Sequence, residues 1–169
     1  MSAPSPTSAP KPCGWQRQIV QSFAEDAAER LGYTPGADLY SLVQKMGGRI
    51  EVRGSHDSNA TGSIHVRGPG DFIIYLSPYS GYQRDRFTIA HELGHYVLHS
   101  QMGTVAPLEV NRDGTGRVEW EANWFAAGFL MPKGEFKSML RKGFSNAALA
   151  VHFDVSEAAV AVRRQALGL

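Results

Sequence analysis

Apolar residues recur at helical spacing from Trp15 to Leu31. Ile19, Phe23, Ala27 and Leu31 share one face, and Gly32 follows as a C-terminal stop. A second, short helix is predicted over Asp38 to Met46, with Asp38 as its cap and Gly47-Gly48 beyond its end. The period then changes from 3.6 to 2. Arg49 to Val52 alternates like a strand, and Ser63 to Val66 and Phe72 to Leu76 are two further strand candidates. The linker Arg67-Gly68-Pro69-Gly70-Asp71 is made of turn residues, so the last two strands should form a hairpin. After Ser77-Pro78 the pattern is helical. One helix is predicted over Arg84 to His99, and another over Val118 to Leu130, stopped by Pro132. Shorter helices are expected over Glu135 to Lys142, Ala147 to Phe153 and Ser156 to Leu167. Gln101 to Gly116 reads as a loop, and no internal repeat is visible.

This order of elements predicts an α+β protein with a small sheet. Residues 1–13 are expected to be a disordered tail, because Met1 to Pro12 is mostly Ser, Ala and Pro with one Lys and holds four of the nine prolines. Residues 14–132 would form the main domain and 133–169 a helical subdomain. The 169 residues are 43% hydrophobic and 20% charged, ordinary for one globular domain. Seventeen basic against sixteen acidic residues give a net charge of +1, which argues against a generally polybasic nucleic-acid binder. No run of 18 apolar residues and no signal-peptide core occurs, so a cytoplasmic protein away from the membrane is expected. The single cysteine, Cys13, reads as a bystander thiol. It forbids an intramolecular disulfide and a Cys-based zinc cluster, so any metal must be held by His and carboxylates.

His91-Glu92-Leu93-Gly94-His95 matches H-E-x-x-H. On a helix, residues four apart stack, so His91 and His95 can present ring nitrogens to one ion. Glu92 is then placed to act on water rather than on the metal. Two neutral imidazoles, a carboxylate base and an open coordination position are what metal-assisted hydrolysis requires. Gly94 costs about 1 kcal/mol inside a helix, which points to close approach by a neighbour.

A third ligand is required. His99 lies about 12 Å along the axis from His91, too far to share an ion on a straight helix, so capping or a core hydrogen bond is the expected role. The extended pattern with a third His six residues after His95 fails, because that position is Gln101. Glu119 and Glu121 of the next helix differ by about 200° in phase, so only one can face the metal. Glu119 shares its face with Ala122, Asn123 and Ala126, whose small side chains allow close packing. Asn123 can accept a hydrogen bond from a ligand imidazole. Glu119 is therefore the expected third ligand, and Glu121 is expected at a rim or in solvent.

These residues carry a family resemblance. Phe87-Thr88-Ile89-Ala90-His91-Glu92-Leu93-Gly94-His95, with Leu98-His99 after it, resembles the first motif of the ImmA/IrrE-type metallopeptidases. Glu119-x-x-Ala122-Asn123-x-Phe125-Ala126, ending in Leu130-Met131-Pro132, is similar to the second. Leu149-Ala150-x-x-Phe153-x-Val155-Ser156, with Val160, Arg163 and Leu167-Gly168-Leu169, resembles the tail. The resemblance runs from roughly Arg49 to Leu169 and implies a zincin-like fold with a small sheet beside an active-site helix, so the main domain over 14–132 is expected to be a zincin-like metallopeptidase domain. It also implies that His91, His95 and Glu119 bind the ion and that Glu92 is the catalytic base. Zinc suits two His and one carboxylate; manganese and iron accept the same ligand types. The implied partner is a helix-turn-helix repressor, cut or inactivated so that its genes are released, in a mobile element, a toxin–antitoxin-like pair or a stress response. The chain ends just after the helical tail, so no C-terminal sensor domain is expected.

Three further expectations concern the substrate. Gly62 to Val66 could be an exposed edge strand that pairs with a substrate peptide, with Gly62 and His65 lining the cleft. Tyr75, Tyr79, Tyr82 and Tyr96 are candidates for an oxyanion donor, each more simply a structural residue. The last two helices read as a helix-turn-helix-like unit with Asp154-Val155-Ser156 at the turn. Lys133 to Leu169 holds six basic and three acidic residues, which suits repressor docking better than DNA binding. The competing function is a non-proteolytic regulator that binds a repressor or DNA through these helices and uses a metal for stability.

Overall fold

The computed structural model describes residues 7–53, 62–111 and 116–169. The element order is α1 (Arg17–Arg30), α2 (Leu39–Lys45), β1 (Gly48–Val52), β2 (Ser63–Gly68), β3 (Asp71–Leu76), α3 (Tyr82–Gly94), a π-helical turn (His95–His99), β4 (Leu108–Asn111), α4 (Arg117–Leu130), α5 (Lys133–Arg141), α6 (Asn146–Phe153) and α7 (Glu157–Ala166). It is the mixed α+β architecture that the sequence predicts.

The four strands are ordered β1-β3-β2-β4. β3 is central and buried from Phe72 to Leu76, which explains its unbroken apolar run. β1 joins it in parallel, with Ile50 opposite Ile74, and β2 joins it antiparallel, with Ile64 opposite Ile74. β4 pairs antiparallel with β2 through Val110 and Ile64. Two expectations are corrected here. The 101–116 segment contains a strand, and β2 is an inner strand rather than an exposed edge. Leu108 and Val110 are buried while Glu109 and Asn111 are exposed, so β4 does alternate, but over only four residues behind Pro107.

Packing follows the small residues. α1 buries Val20, Ala24 and Ala28 at four-residue spacing and lies along α4. A Cβ on Gly128 would stand 2.6 Å from the Gln21 carbonyl oxygen, so glycine sets the α1–α4 distance. Gly128→Ala should therefore cost about 1–3 kcal/mol by overpacking, read as a lower urea midpoint at unchanged slope. A Cβ on Gly94 would meet Phe125 Cβ at 3.1 Å and Ala122 Cα at 3.2 Å, the close approach its presence in a helix foretold.

Two buried arginines fasten the C-terminal helices. Arg86 on α3 donates to the carbonyls of Asp154 and Ala37 and to the Tyr33 hydroxyl. Arg163 on α7 donates to the Met131 carbonyl at 3.0 Å and pairs with Glu25 at 2.9 Å. Arg163 is 1% exposed, so it is an anchor and not a surface cation. No helix among the described residues is long and apolar enough to cross a membrane.

Candidate metal centre

α3 carries His91 and Glu92, and the π-helical turn that continues it carries His95 and His99. The helix predicted as continuous to His99 thus widens at its end, where the Ser100 amide reaches the His95 carbonyl at 3.0 Å. Tyr96 holds this turn to the sheet. Its ring stacks on Phe72 at 4.1 Å, and its hydroxyl accepts from the Gly70 amide and donates to the Met102 carbonyl. Its hydroxyl is engaged structurally. Of the other tyrosines weighed as oxyanion donors, Tyr75 is buried and lies under the Arg53 guanidinium, and Tyr82 donates to Asp154. Tyr79 is 80% exposed.

α3 and α4 run antiparallel and bring His91, His95 and Glu119 together, with one ligand atom from each within 4.8 Å of the others. His91 Nε2 lies 3.1 Å from Glu119 Oε2, His95 Nε2 lies 3.3 Å from Oε1, and the two Nε2 atoms are 3.1 Å apart. All three residues are buried, as is Glu92 beside His91.

The outer hydrogen bonds decide where the ring protons sit. Glu121 Oε2 is an acceptor 3.0 Å from His99 Nε2, so that nitrogen carries a proton. Burial pushes the His99 imidazole down, so the ring is neutral and its Nδ1 is an acceptor. His95 Nδ1, 2.9 Å away, must then donate, which leaves a lone pair on His95 Nε2. Asn123 Oδ1 accepts from His91 Nδ1 at 2.9 Å, which in the neutral ring leaves the same on His91 Nε2.

Two imidazole lone pairs and a carboxylate therefore face one another in a buried space. Facing lone pairs rather than ring N–H groups at 3.1 and 3.3 Å, the Glu119 carboxylate receives no hydrogen bond from either imidazole. The carboxylate thus needs positive charge opposite it. His95 does not supply that charge at neutral pH, because burial pushes its imidazole down to about 4. A metal cation meets the requirement, and the donor set of two nitrogens and one carboxylate fits zinc and its first-row neighbours.

Glu121 departs from expectation. It is fully buried rather than at a rim, because the opposite side of α4 faces the protein's own N-terminal segment. Its carboxylate accepts from the Cys13 and Gly14 amides at 2.8 and 2.9 Å, from Arg117 at 2.9 Å and from His99. Residues assigned to the tail are thus hydrogen-bonded here, as is Ser8 to the Pro107 carbonyl at 2.9 Å. The readable sign was Arg117, one helical turn before Glu121. Gly62 and His65 lie outside the cluster; His65 sits between Ile73 and Glu109 in the sheet.

The Glu121 carboxyl, raised by burial but lowered further by His99, Arg117 and the two amides, is held at about 2, below its ordinary 4.5. Its stabilising effect is full above 4.5 and is lost as the pH falls toward 2. In chelator-treated protein Glu121→Gln should cost about 2–4 kcal/mol at pH 7, with the gap to wild type narrowing at pH 3. Urea midpoints at the two pH values check this; a gap independent of pH contradicts it.

An α+β chain with a buried His-His-Glu cluster between two antiparallel helices is the class of protein that these observations define. Residues 51–164 match the peptidase family described as the IrrE N-terminal-like domain, and the chain belongs to that ImmA/IrrE family. It is 28% identical over 93 residues to Metallopeptidase ImmA of Bacillus subtilis (strain 168), a match that covers 54% of each protein. The chain thus spans about half the length of that relative. Among solved structures it is similar to a Mycobacterium tuberculosis transcriptional regulator, with a TM-score of 0.59 and 17% identity over 86% of this chain and 46% of that one. At that identity the likeness concerns the fold.

Proposed function

We propose that the chain is a zinc-dependent endopeptidase with a zincin-like fold, in which His91, His95 and Glu119 hold the ion and Glu92 is the general base. The observation that carries this reading is the convergence of two imidazole lone pairs and a carboxylate, with the outer ring nitrogens committed to Asn123 and His99. When bound, such an ion supplies Lewis acidity that polarises a peptide carbonyl and acidifies water. Glu92 takes a proton from the attacking water as oxygen adds to the carbonyl carbon. It delivers that proton to the amine nitrogen as the C–N bond breaks. Asn123 and His99 keep both imidazoles in the tautomer that offers Nε2 inward. Glu121 holds His99 in turn.

The substrate is a protein, and we assign it as a helix-turn-helix repressor whose loss releases its genes in the cytoplasm. The α6–α7 pair, turning at the left-handed Asp154 and capped by Ser156, is a helix-turn-helix-like subdomain suited to docking that partner. With Arg163 buried, Arg164 is the one exposed basic side chain on α7, which favours a protein partner over DNA. The test is incubation with a helix-turn-helix protein encoded by the neighbouring reading frame. Two fragments should appear with metal, and intact protein should remain with chelator. Relief of repression without any cleavage would support the non-proteolytic regulator instead.

A further inference from the structure

The α3–α4 seam continues past the metal cluster. The helices are antiparallel, so His95 is level with Glu119 and His91 with Asn123. One turn further on Phe87 is level with Ala127, and a turn beyond that Gln83 is level with Met131. These last four residues, with Asn123, line a groove of 980 Å³. Asn123 therefore belongs to both places: it accepts from His91 at 2.9 Å and lines the near end of the groove.

The far wall is α7. Arg163 anchors that helix at its middle, leaving Ala159, Val162 and Ala166 to face the groove. Val162 is 66% exposed there. The lining is mostly apolar and includes no carboxylate. Arg17 and Arg84 also line it, and neither forms an ion pair among the described residues. The groove thus offers apolar walls and unneutralised positive charge, one helical turn from the metal ligands.

We propose that this groove is the substrate subsite on one side of the scissile bond, and that it takes an extended apolar segment flanked by a carboxylate. From the His91 level to the Gln83 level is two helical turns, about 12 Å, which an extended chain spans in about four residues. The apolar side chains lie against Phe87, Ala127 and Val162, and the flanking carboxylate meets Arg17 or Arg84. The inference rests on the peptidase reading for its purpose, but its test does not need catalysis.

The probe is a fluorescein-labelled peptide with a Leu-Leu-Val-Leu core between glutamates, and its counterpart with lysines in their place. Anisotropy is read with full-length Glu92→Gln protein, in which cleavage of either peptide should be slowed at least about a hundredfold. The acidic peptide should bind at least tenfold more tightly than the basic one. Ala159→Trp, which fills the groove, and the exposed-site variant Val162→Asp should each weaken it at least tenfold. The Arg17→Glu/Arg84→Glu double variant should reverse the charge preference. Equal binding of the two peptides, no binding of either, or binding indifferent to both groove variants and to the double variant would overturn the proposal. Groove-dependent binding in a protein that cuts no partner would instead leave a peptide-binding groove and overturn both the peptidase reading and the groove's place beside a scissile bond.

Discussion

Glu92→Gln protein is expected to lose peptide cleavage by about two to four orders of magnitude, the range a positioned proton-transfer group contributes. The amide has nearly the same shape as the carboxylate but cannot take a proton from water. Glu92 is buried on α3 beside His91, so the variant keeps the surrounding packing. Metal content and thermal midpoint should stay close to wild type. That combination separates loss of chemistry from loss of fold. A variant that processes its partner at the wild-type rate would show that the proton moves by another route.

Glu119→Ala is expected to act on the metal itself. It removes one of the three proposed protein ligands and leaves two imidazoles facing the space its carboxylate fills. Losing even an outer hydrogen-bond partner of a ligand costs about 10–100-fold in affinity, so losing the ligand should cost more than about 100-fold. Asn123→Ala and His99→Ala, which release the outer nitrogens of His91 and His95, should fall within that smaller range. Competition with a chromophoric chelator measures all three. The ordering is what matters: Glu119→Ala weaker than Asn123→Ala, and Asn123→Ala weaker than wild type. If Glu119→Ala binds as wild type, the third ligand lies elsewhere.

The parts of this site that were legible in the sequence depend on local geometry. H-E-x-x-H places two imidazoles one turn apart on any helix, and the phase of α4 singles out Glu119 over Glu121 by the company of Ala122, Asn123 and Ala126. What local geometry does not show is what stands on the other side of each element. Glu121 is about 200° from Glu119, and the sequence does not reveal that residues 13 and 14, more than a hundred positions away, close over it. Its burial depends on those amides, on Arg117 and on His99, so the partners make a carboxylate stable where phase alone suggests solvent.

The same limit governs the sheet. Strand candidates β1 to β3 show as a change of period, whereas β4 has only two inward residues, Leu108 and Val110, in a segment rich in turn formers. Missing it makes β2 look like an edge. The π-helical turn leaves no trace in the hydrophobic pattern, because Tyr96, Leu98 and His99 would be buried on an ordinary helix as well.

Two imidazoles and one carboxylate are proposed to hold a single hydrolytic metal ion with a position open to water. X-ray absorption at the zinc edge, on protein reconstituted with one equivalent of zinc, tests this most directly. The expected shell is nitrogen and oxygen only, at about 2.0–2.1 Å, with the scattering signature of two imidazoles. A sulfur at about 2.3 Å, which would bring Cys13 into the shell, or fewer than two imidazoles would contradict it.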